Sequence, residues 1–324
     1  MAVVAGASAG IGRAAALAFA DAGADVAVLA RNLERLASLR VEIEARRRRA
    51  LAIPVDIADA DAVDAAAARI ENELGPIDVW VNAATVSVFS PVREMTSHEY
   101  RRVMEVTYLG AVHGTLAALR HMAPRQHGAI VIVGSALAYR GIPLQSAYCA
   151  AKHALQGFND SLQAELLHEH SRVRVTMVQL SAFNTPQFEW SRSRLPNRAR
   201  PMRPVYQPEL AADAIVWAAR HGGREVKVGM PAVVAIWADK LWPRAGDWYL
   251  ARAAYTGQQS REPRVPDAPD NLDASVPGAF GSHGRFDREA HRFSLQFWLL
   301  MHSRAVMAMT AAVLAMATLL WLAS

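Results

Sequence analysis

One cysteine, Cys149, and three lysines, Lys152, Lys227 and Lys240, are all that this 324-residue chain has of either type. With a single cysteine no intramolecular disulfide forms, which points to a reducing compartment. Cys149 reads as a packing residue. The eleven histidines are scattered, none joins a cysteine at metal-ligand spacing, and no metal site is expected. The N-terminus has no basic leader, so its apolar run is not read as a signal peptide. No internal repeat is visible. The formal charge is +5 and the pI is near 9.6, a balance that suits nucleic acid or an anionic membrane surface. No nucleic-acid motif accompanies it, and aromatic residues do not interleave with basic ones. Nucleic acid is therefore not an expected partner.

What the chain does have is alternation. Apolar runs just before Gly6 and near residues 26–30, 51–55, 78–82, 129–134, 173–179 and 225–228 are separated by amphipathic or alanine-rich stretches. That pattern predicts an α/β fold, a doubly wound parallel sheet of about seven strands covered on both faces. Residues 1–229 form the expected catalytic domain.

The first run feeds a glycine turn, Gly6-Ala7-Ser8-Ala9-Gly10-Ile11-Gly12, and then a helical stretch from Ala14 to Ala22. Glycine lets the backbone turn tightly and a ligand come close. The following helix N-terminus offers free N–H groups and the positive end of a dipole to a pyrophosphate, and Ser8 adds a hydroxyl. Met1 falls inside the first run, so the strand is expected to be short or to begin upstream. The second run ends at Ala30-Arg31. The acid that binds a ribose diol in dinucleotide folds is replaced by Ala30, and Arg31 offers a guanidinium to a 2′-phosphate. NADP(H) is the expected cofactor.

Tyr148 and Lys152 are four apart, one helical turn, so phenol and ammonium share a helix face. Ser135 lies thirteen residues upstream of Tyr148. Where arginine is the default cation, a lysine at this spacing is pointed. A tyrosine phenol can protonate an alkoxide or, as phenolate, remove a proton. Only about one free tyrosine in a thousand is ionised at neutral pH; a nearby ammonium favours the phenolate.

With these residues in place, residues 1–229 resemble the short-chain dehydrogenase/reductase family. Ala5 to Gly12 is similar to its Thr-Gly-x-x-x-Gly-Ile-Gly loop, with Gly6, Gly10, Ile11 and Gly12 at the cofactor. Asp56 matches the acid that contacts adenine, and Val81-Asn82-Ala83-Ala84 resembles the Asn-Asn-Ala-Gly segment. Ser135, Tyr148 and Lys152 match the catalytic serine, tyrosine and lysine. The resemblance implies that Ser135 orients the substrate oxygen, that Tyr148 is the acid/base, and that Lys152 tunes it and holds the nicotinamide ribose. The chain departs from the family at Ala5 and Ala83, which replace polar residues that brace the turn. Thr107 stands where the family's helix asparagine holds a relay water. Leu180-Ser181 replaces a Pro-Gly, while Thr185 is retained and is expected at the nicotinamide amide or phosphates. The activity implied is NADP(H)-dependent interconversion of a carbonyl and an alcohol. The alternative is a non-catalytic NADP(H)-binding sensor or membrane-associated scaffold. Helix-paired homo-oligomers are common in the family, so a homo-oligomer is expected.

Beyond the sixth strand, residues 187–208 are rich in arginine and proline; the resemblance implies a mobile, substrate-covering lid there, and its arginines read as solvated. Arg46 to Arg49 read as a solvated helix end. Residues 230–255 form an aromatic helical segment with Trp237, Trp242, Trp248 and Tyr249. Residues 256–292 carry four prolines, several glycines and many charges and read as a polar linker. Residues 293–324 read as a hydrophobic C-terminal helix. Twenty of them, 305–324, carry no charge, a helix of ~30 Å, about one hydrocarbon thickness. A membrane anchor is expected there, with the catalytic domain on the cytoplasmic side. Such an anchor favours an apolar substrate.

Overall fold

A computed structural model describes residues 1–303 together with 306, 307, 309, 318 and 321. Seven strands form one parallel sheet: β1 (Ala2–Ala5), β2 (Val26–Ala30), β3 (Ala50–Pro54), β4 (Val79–Asn82), β5 (Ala129–Val133), β6 (Arg174–Leu180) and β7 (Glu225–Val228). Their order is β7-β6-β5-β4-β1-β2-β3, with every pairing parallel. This is the doubly wound α/β sheet that the alternation predicts. The chain steps outward in one direction from β1 to β3 and in the other from β4 to β7. The break in direction lies between β1 and β4, and a ligand crevice belongs outside the strand ends there.

Central strands bury both faces. Val3, Val4, Val81, Ile130 and Ile132 are all fully enclosed, each contributing roughly 1.5–3 kcal/mol by leaving water. One layer holds helices α1 (Gly10–Asp21), α2 (Leu33–Glu44) and α8 (Pro208–His221). The alanines of α1, Ala15 and Ala16, pack in one cluster with Ala211, Ala214 and Ile215 of α8, and their small side chains let the two helices approach. The other layer holds α3 (Ala60–Glu73), α4 (Ser97–Met104), α5 (Gly110–Met122) and α6 (Ser146–His168). Thr96 and Glu99 start α4 with a reciprocal capping box, which satisfies two orphan amides at once. A π-helical turn, Glu105–Leu109, joins α4 to α5.

Beyond the sheet, the short helix α7 (Gln187–Trp190) opens the lid, and α9 (Met230–Leu241) and α10 (Pro243–Gly257) form the aromatic segment. Trp237, Trp242, Trp248 and Tyr249 are exposed. The stretch read as a linker is packed onto the domain. Residues Gln259–Pro263 pair with Asn197–Ala199, and Ala290–His291 pair with Val205–Tyr206. Leu272 is fully buried in the sheet-side core. The lid arginines are ion-paired, with Arg203 still exposed. Arg192 binds Asp270 and Asp273, Arg198 binds Glu189 and Glu262, and both Arg200 and Arg203 bind Glu289. Charge complementarity between these two irregular stretches fixes them together.

The short helix α11 (Leu295–Met301) follows, anchored through the fully buried Phe297. The expected anchor, 305–324, lies outside the described residues apart from the five single positions above. Among the described residues no helix is long and apolar enough to cross a membrane.

Candidate active site

The glycine turn closes on itself. Gly6 has a φ of +86°, and a Cβ there would lie 2.5 Å from the Ala84 amide nitrogen. A Cβ on Gly12 would lie 2.2 Å from the Gly6 carbonyl oxygen. Both neighbours are backbone, so neither position admits a side chain without moving the turn. The turn delivers the N-terminus of α1 to the crevice. A helix's first amides have no intrahelical acceptor; here Gly10, Ile11 and Gly12 line the cavity beside Ser8, and the Gly10 amide donates to the Gly281 carbonyl.

One cavity of about 590 Å³ runs from this turn to the α9 and α10 helices. Gly6, Ser8, Gly10, Ile11 and Gly12 line it, as do Arg31, Asp56, Ser135, Tyr148, Lys152 and Thr185. The structure thus brings together all but two of the expected site residues. The exceptions are Asn82 and Thr107, which act beside the cavity. Asn82 is buried, donates to the Thr115 hydroxyl at 3.0 Å and accepts from the Trp80 indole at 2.9 Å. Its side chain ties β4 to α5. Thr107, in the π-helical turn, accepts from the Val86 amide and donates to the Val86 carbonyl, both at 3.2 Å. It also contacts the Thr85 hydroxyl at 3.2 Å, and Thr85 and Val86 do line the cavity.

Tyr148 and Lys152 project from the first turns of α6, and Ser135 follows the end of β5. The Lys152 ammonium donates to the Val133 carbonyl at 2.7 Å and lies 5.5 Å from the centre of the Tyr148 ring. Burial pulls the Lys152 ammonium down to about 8. Burial pushes the Tyr148 phenol well above its ordinary range, with the Ser135 hydroxyl bond opposing that shift and Cys149 adding to it. At neutral pH Tyr148 is therefore a neutral phenol, and Lys152 is charged but close to its titration. The adjacent Cys149 is buried, and burial raises its thiol to about 11. That fits a packing residue and not a reactive thiolate.

At the other end of the cavity, Asp56 accepts from the Ala58 amide at 3.0 Å and pairs with Arg102. Burial raises its carboxyl, but these bonds and the nearby Arg31 outweigh it, and Asp56 stays below the usual range. Arg31 donates to the carbonyls of Asn271, at 2.5 Å, and Leu272, at 3.3 Å. Arg35, in the first turn of α2, donates to the carbonyls of Gly278 and Val276 and stacks its guanidinium 5.0 Å from the Trp190 ring and 4.7 Å from Phe280. Arg35, Arg102 and residues 271–281 were not among the expected site residues. The signal that points to them is the acidic content of 256–292 set against the basic lid.

The chain matches the short chain dehydrogenase family over residues 1–195. It belongs to that family. The oxidoreductase YxnA of Bacillus subtilis (strain 168) is 33% identical over 266 residues, 82% of this chain and 75% of that one. A fatty acyl-CoA reductase of Acinetobacter baylyi is 33% identical over 220 residues, 67% of this chain and 72% of that one. A metagenomic short-chain oxidoreductase solved in complex with NADP superposes with a TM-score of 0.59 at 28% identity, covering 70% of this chain and 95% of that one. The short-chain dehydrogenase assignment makes this chain an oxidoreductase that binds a nicotinamide cofactor.

Proposed function

We propose that this oxidoreductase uses NADP(H) to interconvert a carbonyl and an alcohol, with Tyr148 as the acid/base. The observation that carries the reading is convergence: Ser135, Tyr148 and Lys152 face the same cavity as the glycine turn and Arg31. The cavity fits the cofactor chemically, with helix amides for a pyrophosphate and a guanidinium, with no acid at Ala30, for a 2′-phosphate. Bound there, NADP(H) supplies or accepts the hydride.

The protein's own residues supply the rest. In reduction, the Tyr148 phenol gives its proton to the oxygen of the nascent alkoxide. The Ser135 hydroxyl donates to that same oxygen and holds it against Tyr148. The Lys152 ammonium, fixed by the Val133 carbonyl, stabilises the phenolate left behind and binds the nicotinamide ribose. In oxidation the same phenolate takes the alcohol proton. Thr107 holds the 85–86 loop against the cavity and stands in the relay position, with Thr85 as its hydroxyl partner.

The substrate end of the cavity has an apolar wall of Ile142, Met202, Val234, Ala235 and Leu250, with Gln145, Arg140 and Gln258 also lining the cavity. An apolar carbonyl compound fits it, and the similarity to a fatty acyl-CoA reductase supports the same class. The test is turnover of reduced nicotinamide with a series of aldehydes and ketones of rising chain length. Turnover that Tyr148→Phe abolishes while NADPH affinity holds supports the reading. Turnover that survives Tyr148→Phe sinks it, as does a sensor-like outcome in which NADPH binds and no carbonyl is ever reduced.

A further inference from the structure

Five arginines line the cavity, and Arg31 and Arg35 stand apart from the other three. Arg140, Arg200 and Arg203 each bind a carboxylate. Among the described residues, Arg31 and Arg35 bind only neutral carbonyls, two each, all from residues 271–278. Asp56 and Asp273 lie near enough to favour the Arg31 charge, but each is already bonded to another cation, Arg102 and Arg192 respectively. Arg35 is only 6% exposed. Two guanidiniums, four residues apart on one cavity wall, thus have no carboxylate bonded to them, although Glu34 favours the Arg35 charge and the Trp190 and Phe280 rings lie against it. Unpaired buried charge is costly, so this arrangement makes sense where an anion completes it.

Residues 271–281 form a strap along the cleft, and that strap is itself fixed. Asp270 and Asp273 hold Arg192, Asp273 also meets His98 at 2.8 Å, and the Phe280 ring meets Trp190 edge-on at 4.6 Å. The Gly281 carbonyl accepts from the Gly10 amide at 3.1 Å. From Asn271 to Gly281 the chain follows the cleft from the adenosine end to the glycine turn. The cavity persists beneath it, with Asn271 and Val276 in its wall.

We propose that residues 271–281 are a built-in part of the cofactor site, and that their carbonyls orient Arg31 and Arg35 as a joint seat for the 2′-phosphate of NADP(H). The seat rests on the NADP(H) reading above. Arg35 is its second phosphate ligand, and the strap encloses the phosphate instead of leaving it on an open surface. Each guanidinium uses two of its five N–H donors on the strap and keeps the others for the anion.

The experiment uses the full-length protein. Dissociation constants for NADPH and NADH are read by nicotinamide fluorescence for the parent, Arg31→Met, Arg35→Met, Arg35→Lys and the pair Asp270→Asn with Asp273→Asn. A parent that binds both cofactors equally overturns the NADP(H) reading and the seat together. Given a parent preference for NADPH, Arg35→Met is expected to weaken NADPH by roughly ten- to a hundredfold, the worth of a charge-assisted hydrogen bond, and NADH by less than about threefold. Arg35→Lys is expected to recover part of the loss. If Arg31→Met loses the preference and Arg35→Met keeps it, the seat is wrong and the cofactor reading stands. Equal weakening of both cofactors, with no recovery in Arg35→Lys, makes Arg35 merely structural and also overturns the seat. The Asp270/Asp273 pair loosens the strap and is expected to speed NADPH release about fivefold or more. Tighter NADPH binding in that variant would mean that the strap blocks the cleft, and the proposal fails.

Discussion

Replacing Lys152 with methionine is expected to stabilise the protein while removing its activity. The ammonium is almost wholly enclosed, 3% exposed, and its one hydrogen bond goes to the Val133 carbonyl. Burial lowers its pKa from an ordinary 10.5 to about 8. At 1.36 kcal/mol per pH unit, that fall makes holding the charge in the fold worth about 3 kcal/mol against stability. The sign follows from proton counts. Between the folded and unfolded pKa values the unfolded chain binds more protons, so stability rises with pH through the window from about 8 to 10.5. At pH 7 the folded lysine is still charged and nearly the whole cost stands; by pH 9.5 about 2 kcal/mol of it is relieved. Methionine has the length but not the charge, so Lys152→Met lacks that rise. Urea unfolding of parent and variant at pH 7 and pH 9.5 measures the difference, and titrations common to both proteins cancel. Parallel pH dependence in the two would refute the reasoning, because Lys152 would then not be held charged in a dry site. Loss of kcat alongside the gain in stability is the expected trade between function and fold.

Other perturbations follow from the same geometry. Tyr148→Phe is expected to lower kcat by roughly 10²- to 10⁴-fold, the usual worth of a placed proton donor, with NADPH affinity unchanged by titration. Gly12→Ala sets a methyl 2.2 Å from the Gly6 carbonyl oxygen, so a loss of roughly 1–3 kcal/mol in urea unfolding is expected, together with weaker cofactor binding; an unchanged melt would contradict the closed turn. Burial opposes charge on His283, but Glu209 and Asp287 outweigh it and raise its pKa. Its contribution to stability is full below pH 6.5 and is lost as pH rises through the folded value. His283→Gln should therefore narrow the gap in Tm between pH 6 and pH 8, and an equal gap in both proteins would count against that pairing.

The sheet was legible in the sequence because buried parallel strands leave near-continuous apolar runs and their glycine turn has few alternatives. That Tyr148, Lys152 and Ser135 would line one cavity was legible because one helical turn and one strand end place them without reference to distant chain. Thr107 and Asn82 show the limit of reading by position. Both hold expected places, yet their polar atoms are bonded to Val86 and to Thr115 and Trp80, and spacing carries no information about such partners. The linker reading of 256–292 failed for a related reason. Prolines, glycines and charges report the absence of local periodicity, and this stretch is ordered by long-range pairs such as Arg192 with Asp270 and Arg31 with Asn271. A stretch of acids following a stretch of arginines is the residual signal, and it names neither the register nor the surface they cover.

The most direct test of the central claim is a single titration series. Purified protein is titrated with NADPH and with NADH, then assayed at the reduced-nicotinamide absorbance band with aliphatic aldehydes of increasing length, for the parent and Tyr148→Phe. The account predicts preferential NADPH binding, turnover in the parent, and binding without turnover in the variant. Equal turnover in both proteins would contradict the assignment of Tyr148 as the acid/base.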